Sequence, residues 1–279
     1  LAVGHTRGYI ELLEALPWKT GDPEHTAAIY WRDRLRKESR MVGLEAETPW
    51  RPSRDLWPAR DAQTSKNLLD LTAHYNGLLD VPWQPVYLRN ELELTFEELP
   101  RGIHNVAGVD FDIRGAIQLS AATTESHWDG QERGGRELWP NAVTNIALLP
   151  HCSQIHFLHG ALGEPGGSPL IGEYRIRYTD GSIVMVAIVL GRNVQLSWRS
   201  AIPSDGEVAG AKLVFKVWSD RPGAPHRGIK RGTWGWIYHF TWTNPHPDRR
   251  IASLDFVSAE QPAAPFLIGV TLDQTNANN

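Results

Sequence analysis

The stretch GWIYHFTWTNPHPDRRIASLDFVSAEQPAAPFLIGVTLD, residues 235–273, decides the fold. Proline-bearing loops cut it into three apolar runs. Tyr238, Phe240 and Trp242 alternate in the first. Ile251, Leu254, Phe256 and Val257 carry the second, and Phe266, Ile268, Val270 and Leu272 the third. Alternation of period two in runs this short predicts strands, and three in succession predict an antiparallel β-sandwich. A sandwich with an aromatic-rich surface points to a binding module before an enzyme.

Working outward, the same signal fills the chain from Leu68. Expected strands cover Leu68–Thr72, two short strands bent at Gly115 within Val106–Ser120, Ala142–Leu149 paired with Ser153–His159, then Val194–Trp198 and Lys212–Trp218. Glu173–Tyr178 and Ile183–Leu190 flank Asp180-Gly181, whose positive φ angles suit a tight primed turn. The second arm, IVMVAIVL, is apolar at every position, which predicts a central strand covered on both faces. Upstream, the pattern changes. Residues 1–43 predict a helical arm: GYIELLEAL stopped by Pro17, then a helix entered through Asp22-Pro23-Glu24 and ended by Gly43. Residues 44–67 form a polar linker with three prolines and Trp50 and Trp57. The expected organisation is therefore 1–43 arm, 44–67 linker and 68–279 β-sandwich.

Composition bounds the partners. The chain has 279 residues and a net charge of −4, so no bulk electrostatic attraction to nucleic acid or an anionic membrane is expected. The longest apolar run, Ile183–Leu190, has the length of a strand, and no membrane-spanning helix is predicted. Cys152 is the single cysteine, so no internal disulfide is possible. Twelve tryptophans are an unusual supply of flat apolar faces.

A set of phrases occurs in order: LLDLTAHYN at 68–76, LPRGIHNVAGVDFDIRGAIQL at 99–119, IHFLHGA at 155–161, IGEYRIRYTDG at 171–181 and WTNPHPDRRIASLDFVSAEQPAAPFLIGVTL at 242–272. In these the chain resembles galactose-binding-like (discoidin-type jelly-roll) domains, and more narrowly a C-terminal module of large planctomycete and verrucomicrobial extracytoplasmic proteins. The resemblance spans Leu68 to Leu272. It implies a jelly roll, an extracytoplasmic location (periplasmic or cell-surface), an accessory glycan- or protein-facing role, and no catalytic residues.

Asp110 and Asp112 stand at i, i+2 and share a strand face, as a calcium site or an acid–base pair requires. The plainer expectation is a solvated face, with Val109, Phe111 and Ile113 in the core. An acid pair of Asp110 with Glu173 would make a glycosidase. His151, Cys152, His156 and His159 crowd together, but a strand sends His156 and His159 to opposite faces, so no metal or other cofactor is expected. Nucleophile-elbow and phosphate-loop motifs are absent from the sequence. Sugar recognition requires an aromatic plate rimmed by planar hydrogen-bonding groups. Trp128 and Trp139, around a glycine-rich loop, and Trp242 with Asn244, His246 and Asp248 supply these types and form the expected ligand-binding set. Trp198, Trp234 and Trp236, and the basic loop at 221–232, are further surface candidates. The expected function is non-catalytic recognition of a carbohydrate or cell surface. The alternative is a structural subunit whose residues 1–67 dock on a protein partner or a second copy.

Overall fold

The computed structural model describes residues 57–79, 96–121, 139–163, 167–196, 198–199, 208–220 and 232–273; for 198–199, 218–220 and 232–234 it describes the backbone alone. The predicted helical arm and most of the linker lie outside the described residues. The chain divides into two units, Leu1–Pro58 and Ala59–Asn279.

The described chain is all-β. In order, the strands are β1 Gly102–Val106, β2 Val109–Ile113, β3 Ile117–Gln118, β4 Ala142–Ile146, β5 Gln154–Gly163 and β6 Leu170–Tyr178. There follow β7 Ile183–Val189, β8 Trp198–Arg199, β9 Lys212–Asp220, β10 Gly232–Thr243, β11 Ile251–Ser258 and β12 Ala263–Asp273. One sheet runs β3-β12-β5-β10-β8, with β9 also on β10; the other runs β4-β11-β6-β7; β1 and β2 form a separate hairpin. Every pairing between named strands is antiparallel.

The two large sheets meet through aromatic rings. Phe157 of β5 stacks on Tyr174 of β6 at 3.9 Å between centroids, and Tyr174 stacks on Phe256 of β11 at 5.1 Å. Phe240 of β10 extends the stack beside Phe157 and His159. Each ring sits on the apolar parity of its strand, which is why the alternation was readable. Offset stacking adds roughly 0.5–1.5 kcal/mol per pair to the area buried.

The six-stranded sheet is also covered on its other face. Phe96 packs on Phe266 at 5.3 Å, and Phe111 of β2 lies against Gly269 and edge-on to His239. Gly160 makes this cover possible: a Cβ there would stand 2.3 Å from the Phe266 ring and 2.6 Å from the Trp236 carbonyl. Accordingly β5 and β12 are buried along almost their whole length.

Several sequence expectations are corrected. Leu68–Thr72 is not a strand: only Leu68 bridges to Thr271, because the Asp70 carboxylate accepts both the Thr72 amide and hydroxyl and turns the chain. The 106–120 region begins earlier, as a hairpin turned at Ala107 and Gly108, whose φ values of 55° and 94° are those of a primed turn. β4 and β5 do not pair; β4 joins β11 and β5 joins β10 and β12. At 178–183, Gly181 alone takes a positive φ, and its N–H donates to the Tyr178 carbonyl, giving a type I turn with a glycine bulge. β7 is the last strand of its sheet, with Ile183 45% and Met185 67% exposed. Its uniform apolarity therefore does not reflect cover on both faces. A bulge between Leu267 and Gly269 reverses the parity of β12, putting Phe266 on the Phe96 side and Val270 and Leu272 toward the other sheet.

Candidate functional site

Trp128 lies outside the described residues, as does the loop it was expected to flank. Trp139, at the other end of that loop, is buried. The remaining candidates cluster where β10 ends. Trp242 pairs with Ile155 and is half-buried; Asn244 is buried; His246 is half-buried and Asp248 exposed.

Asn244 holds this segment. Its Oδ1 accepts from the Tyr178 hydroxyl at 2.6 Å and from the His246 amide at 2.9 Å, and its Nδ2 donates to the Cys152 carbonyl at 2.9 Å. Its own N–H donates to the Ser153 carbonyl. One amide side chain thus ties β10 to β6 and to the entry of β5, and its contacts are all internal. Tyr178 also meets the His246 ring edge-on at 5.8 Å. The result is a turn whose backbone is fixed from inside while Trp242, His246 and Asp248 keep solvent access. Further along β10, backbone register sets Trp198 and Trp218 opposite Trp234 from either side. Trp236 is buried, and the basic loop at 221–231 lies outside the described residues.

The paired acids have different fates. Asp110 is exposed and bonded to Asn105, whereas Asp112 is 4% exposed, so the two do not share a solvated face. Asp112 accepts from Arg60 at 2.8 Å and from Arg114 Nε at 2.9 Å. Arg114 also bonds Asp70 at 2.8 Å and lies 5.8 Å over the Tyr75 ring. Burial opposes the charge of Asp70, but Thr72 and the Arg114 guanidinium outweigh it and hold the carboxyl at about 2. This network ties residues 60–75 to β2. Glu173, on β6 of the other large sheet, pairs with Arg175, and buried Asp255 with Arg177. Of the acids expected as catalysts, Asp112 and Glu173 are each bound to an arginine, and Asp110 is bonded to Asn105.

His156 and His159 do point to opposite faces of β5. His159 is wholly buried between the sheets; Nδ1 accepts from the Tyr174 hydroxyl at 3.0 Å and Nε2 donates to the Asn193 carbonyl at 3.2 Å. Burial pushes its pKa down to about 3. Burial likewise raises the Cys152 thiol to about 11, with Asp273 adding to it. His156 instead meets residues of neighbouring strands on the outer face: His239 Nε2 at 3.1 Å and Thr241 Oγ1 at 3.0 Å, both from Nδ1, and Asp273 Oδ2 at 3.2 Å from Nε2. His239 is pushed down to about 4 by burial, then by His156 and Lys212. Sequence reasoning grouped His156 with near neighbours in the chain and missed His239, Thr241 and Asp273. The available signal was the cross-strand register, which sets Thr241 and Thr271 on either side of His156. Among the described residues no three His, Cys, Asp or Glu side chains gather as a metal-ligand set.

No protein-family model matches the chain, and no curated protein is detectably similar to it.

Proposed function

We propose that this protein is a non-catalytic β-sandwich module of the galactose-binding-like, jelly-roll kind, acting outside the cytoplasm to recognise a carbohydrate or other cell-surface component through the 242–248 segment. The observation that carries the reading is the Asn244 frame. A loop whose backbone is fixed by internal hydrogen bonds loses little conformational entropy on binding. It holds an indole, an imidazole and a carboxylate with solvent access, the residue types that sugar rings require. The arginine pairing of Asp112, Asp255 and Glu173 supports a role without catalysis.

The test is a glycan panel read by tryptophan fluorescence, with Trp242→Ala and His246→Ala beside the parent. Binding that both substitutions weaken supports the reading; a parent silent to soluble and insoluble polysaccharides refutes it.

One observation favours the alternative of an assembly subunit. Ile183 and Met185 are exposed on the edge strand β7, large apolar side chains of the kind that protein partners cover. A chain lacking residues 1–67 that loses a mass seen for the full chain in light scattering would support docking through that arm.

A further inference from the structure

Three donor atoms meet on the outer face of the six-stranded sheet. The separations are 3.1 Å from His156 Nδ1 to His239 Nε2, 3.0 Å from His156 Nδ1 to Thr241 Oγ1, and 3.3 Å from Thr241 Oγ1 to His239 Nε2. They form a nearly equilateral triangle carried by the adjacent central strands β5 and β10. An ion about 1 Å off the plane of such a triangle is about 2.1 Å from each corner, the zinc–imidazole distance.

We propose that His156, His239 and Thr241 bind a divalent first-row transition-metal ion of the zinc type, with Asp273 orienting His156 from behind. Two imidazole nitrogens are the ligands such ions favour, and the hydroxyl of Thr241 completes a three-point face that leaves the remaining positions to water. Three donors are reached only by counting that hydroxyl. Asp273 Oδ2 stands 3.2 Å from the far nitrogen of His156, which makes no hydrogen bond among the described residues. A carboxylate this close to the distal nitrogen of a ligating histidine favours the proton there, the tautomer that leaves Nδ1 to the metal. The access route is short, because Thr241 is exposed and His239 half-buried. Lys212, opposite His239 on β9, is the opposing positive charge and sets a limit on affinity. This site lies on the other face of β10 from Trp242, so it stands or falls apart from the binding loop.

The experiment uses the full chain, free of any polyhistidine tag and stripped with chelator. It is titrated with zinc by calorimetry and with Co2+ by visible absorption. One ion per chain is expected, with the intense visible bands of low-coordinate cobalt. His239→Gln weakens zinc binding at least about tenfold and Asp273→Asn about 10- to 100-fold, while exposed His151→Gln titrates like the parent. Far-ultraviolet circular dichroism verifies that each variant is folded; neither tested position is fully buried. A parent that takes up no zinc at millimolar concentration overturns the proposal, as does unchanged binding in both His239→Gln and Asp273→Asn.

Discussion

His159 gives the fold a built-in sensitivity to acid. It lies at 0% exposure between the sheets, and both ring nitrogens are engaged by neutral partners, the Tyr174 hydroxyl and the Asn193 carbonyl. Burial lowers its pKa from the ordinary 6.5 to about 3. Above pH 6.5 both folded and unfolded chains hold the ring neutral, and its contribution to stability is complete. As pH falls from 6.5 toward 3, the unfolded chain takes a proton that the folded chain refuses, so stability falls. Each pH unit in that window is worth about 1.4 kcal/mol, or about 3 kcal/mol by pH 4 and about 5 in all. His159→Phe removes the titration along with two hydrogen bonds. At pH 7.5 it is expected to cost about 2–4 kcal/mol, from the polar groups it leaves unsatisfied. At pH 4 the parent has lost about 3 kcal/mol that the variant keeps, so the two become nearly equal in stability. Urea unfolding followed by tryptophan fluorescence at both pH values measures the gap. His239 also titrates low, but it is present in both proteins and cancels. A gap of the same size at pH 7.5 and pH 4 would refute the reasoning.

Other substitutions probe the frame. Asp112→Ala takes the paired carboxylate from buried Arg114 and should lower unfolding free energy by about 3–5 kcal/mol in urea titrations. Gly160→Ala drives a methyl group into the Phe266 ring and a backbone carbonyl, and a loss of at least about 2–3 kcal/mol is expected by the same assay. Asn244→Ala strands the Tyr178 hydroxyl and the Cys152 carbonyl, costs about 2–4 kcal/mol, and should weaken any glycan binding by the 242–248 loop, read by fluorescence quenching. Asn244→Asp should be nearly as damaging, since a carboxylate keeps the two acceptor contacts but turns the third against a carbonyl.

The strands were legible wherever one face is buried against the other sheet, because parity alone then separates core from surface. Tyr174, Ile176 and Tyr178 against Glu173, Arg175 and Arg177 on β6 are the plainest case. Parity failed in two physical situations. β5 and β12 are covered on both faces, so His156 and Phe266 have inward surroundings although they sit on the outer parity. β7 is uniformly apolar yet lies at the edge of its sheet, where its position depends on neighbours far away in sequence. The burial of Asp112 is not legible in the sequence for a related reason. Asp112 is buried because Arg60 and Arg114 reach it, the first from 52 residues upstream, and no local pattern records that. Asn244 was legible in part: an Asn before a proline-rich turn suggests a turn role, but its bond to the Tyr178 hydroxyl joins strands 66 residues apart.

The two histidines of β5 show why the same residue type, three positions apart, leads to different chemistry. A strand covered on both faces must supply partners for any polar side chain, whichever way it points. His159 meets one hydroxyl that donates and one carbonyl that accepts, so each nitrogen has a single neutral role and the ring is sealed in one tautomer. His156 meets a second imidazole and a hydroxyl at one nitrogen and a half-exposed carboxylate at the other. Two acceptors and a hydroxyl compete at its Nδ1 for the few available protons, and a cation would satisfy all three donor atoms at once. That asymmetry places the acid sensitivity of stability on His159 and the metal-binding proposal on His156, and it predicts that the two properties separate. His159→Phe should therefore reduce the acid dependence of stability, read by urea unfolding, and leave the zinc affinity measured by calorimetry unchanged.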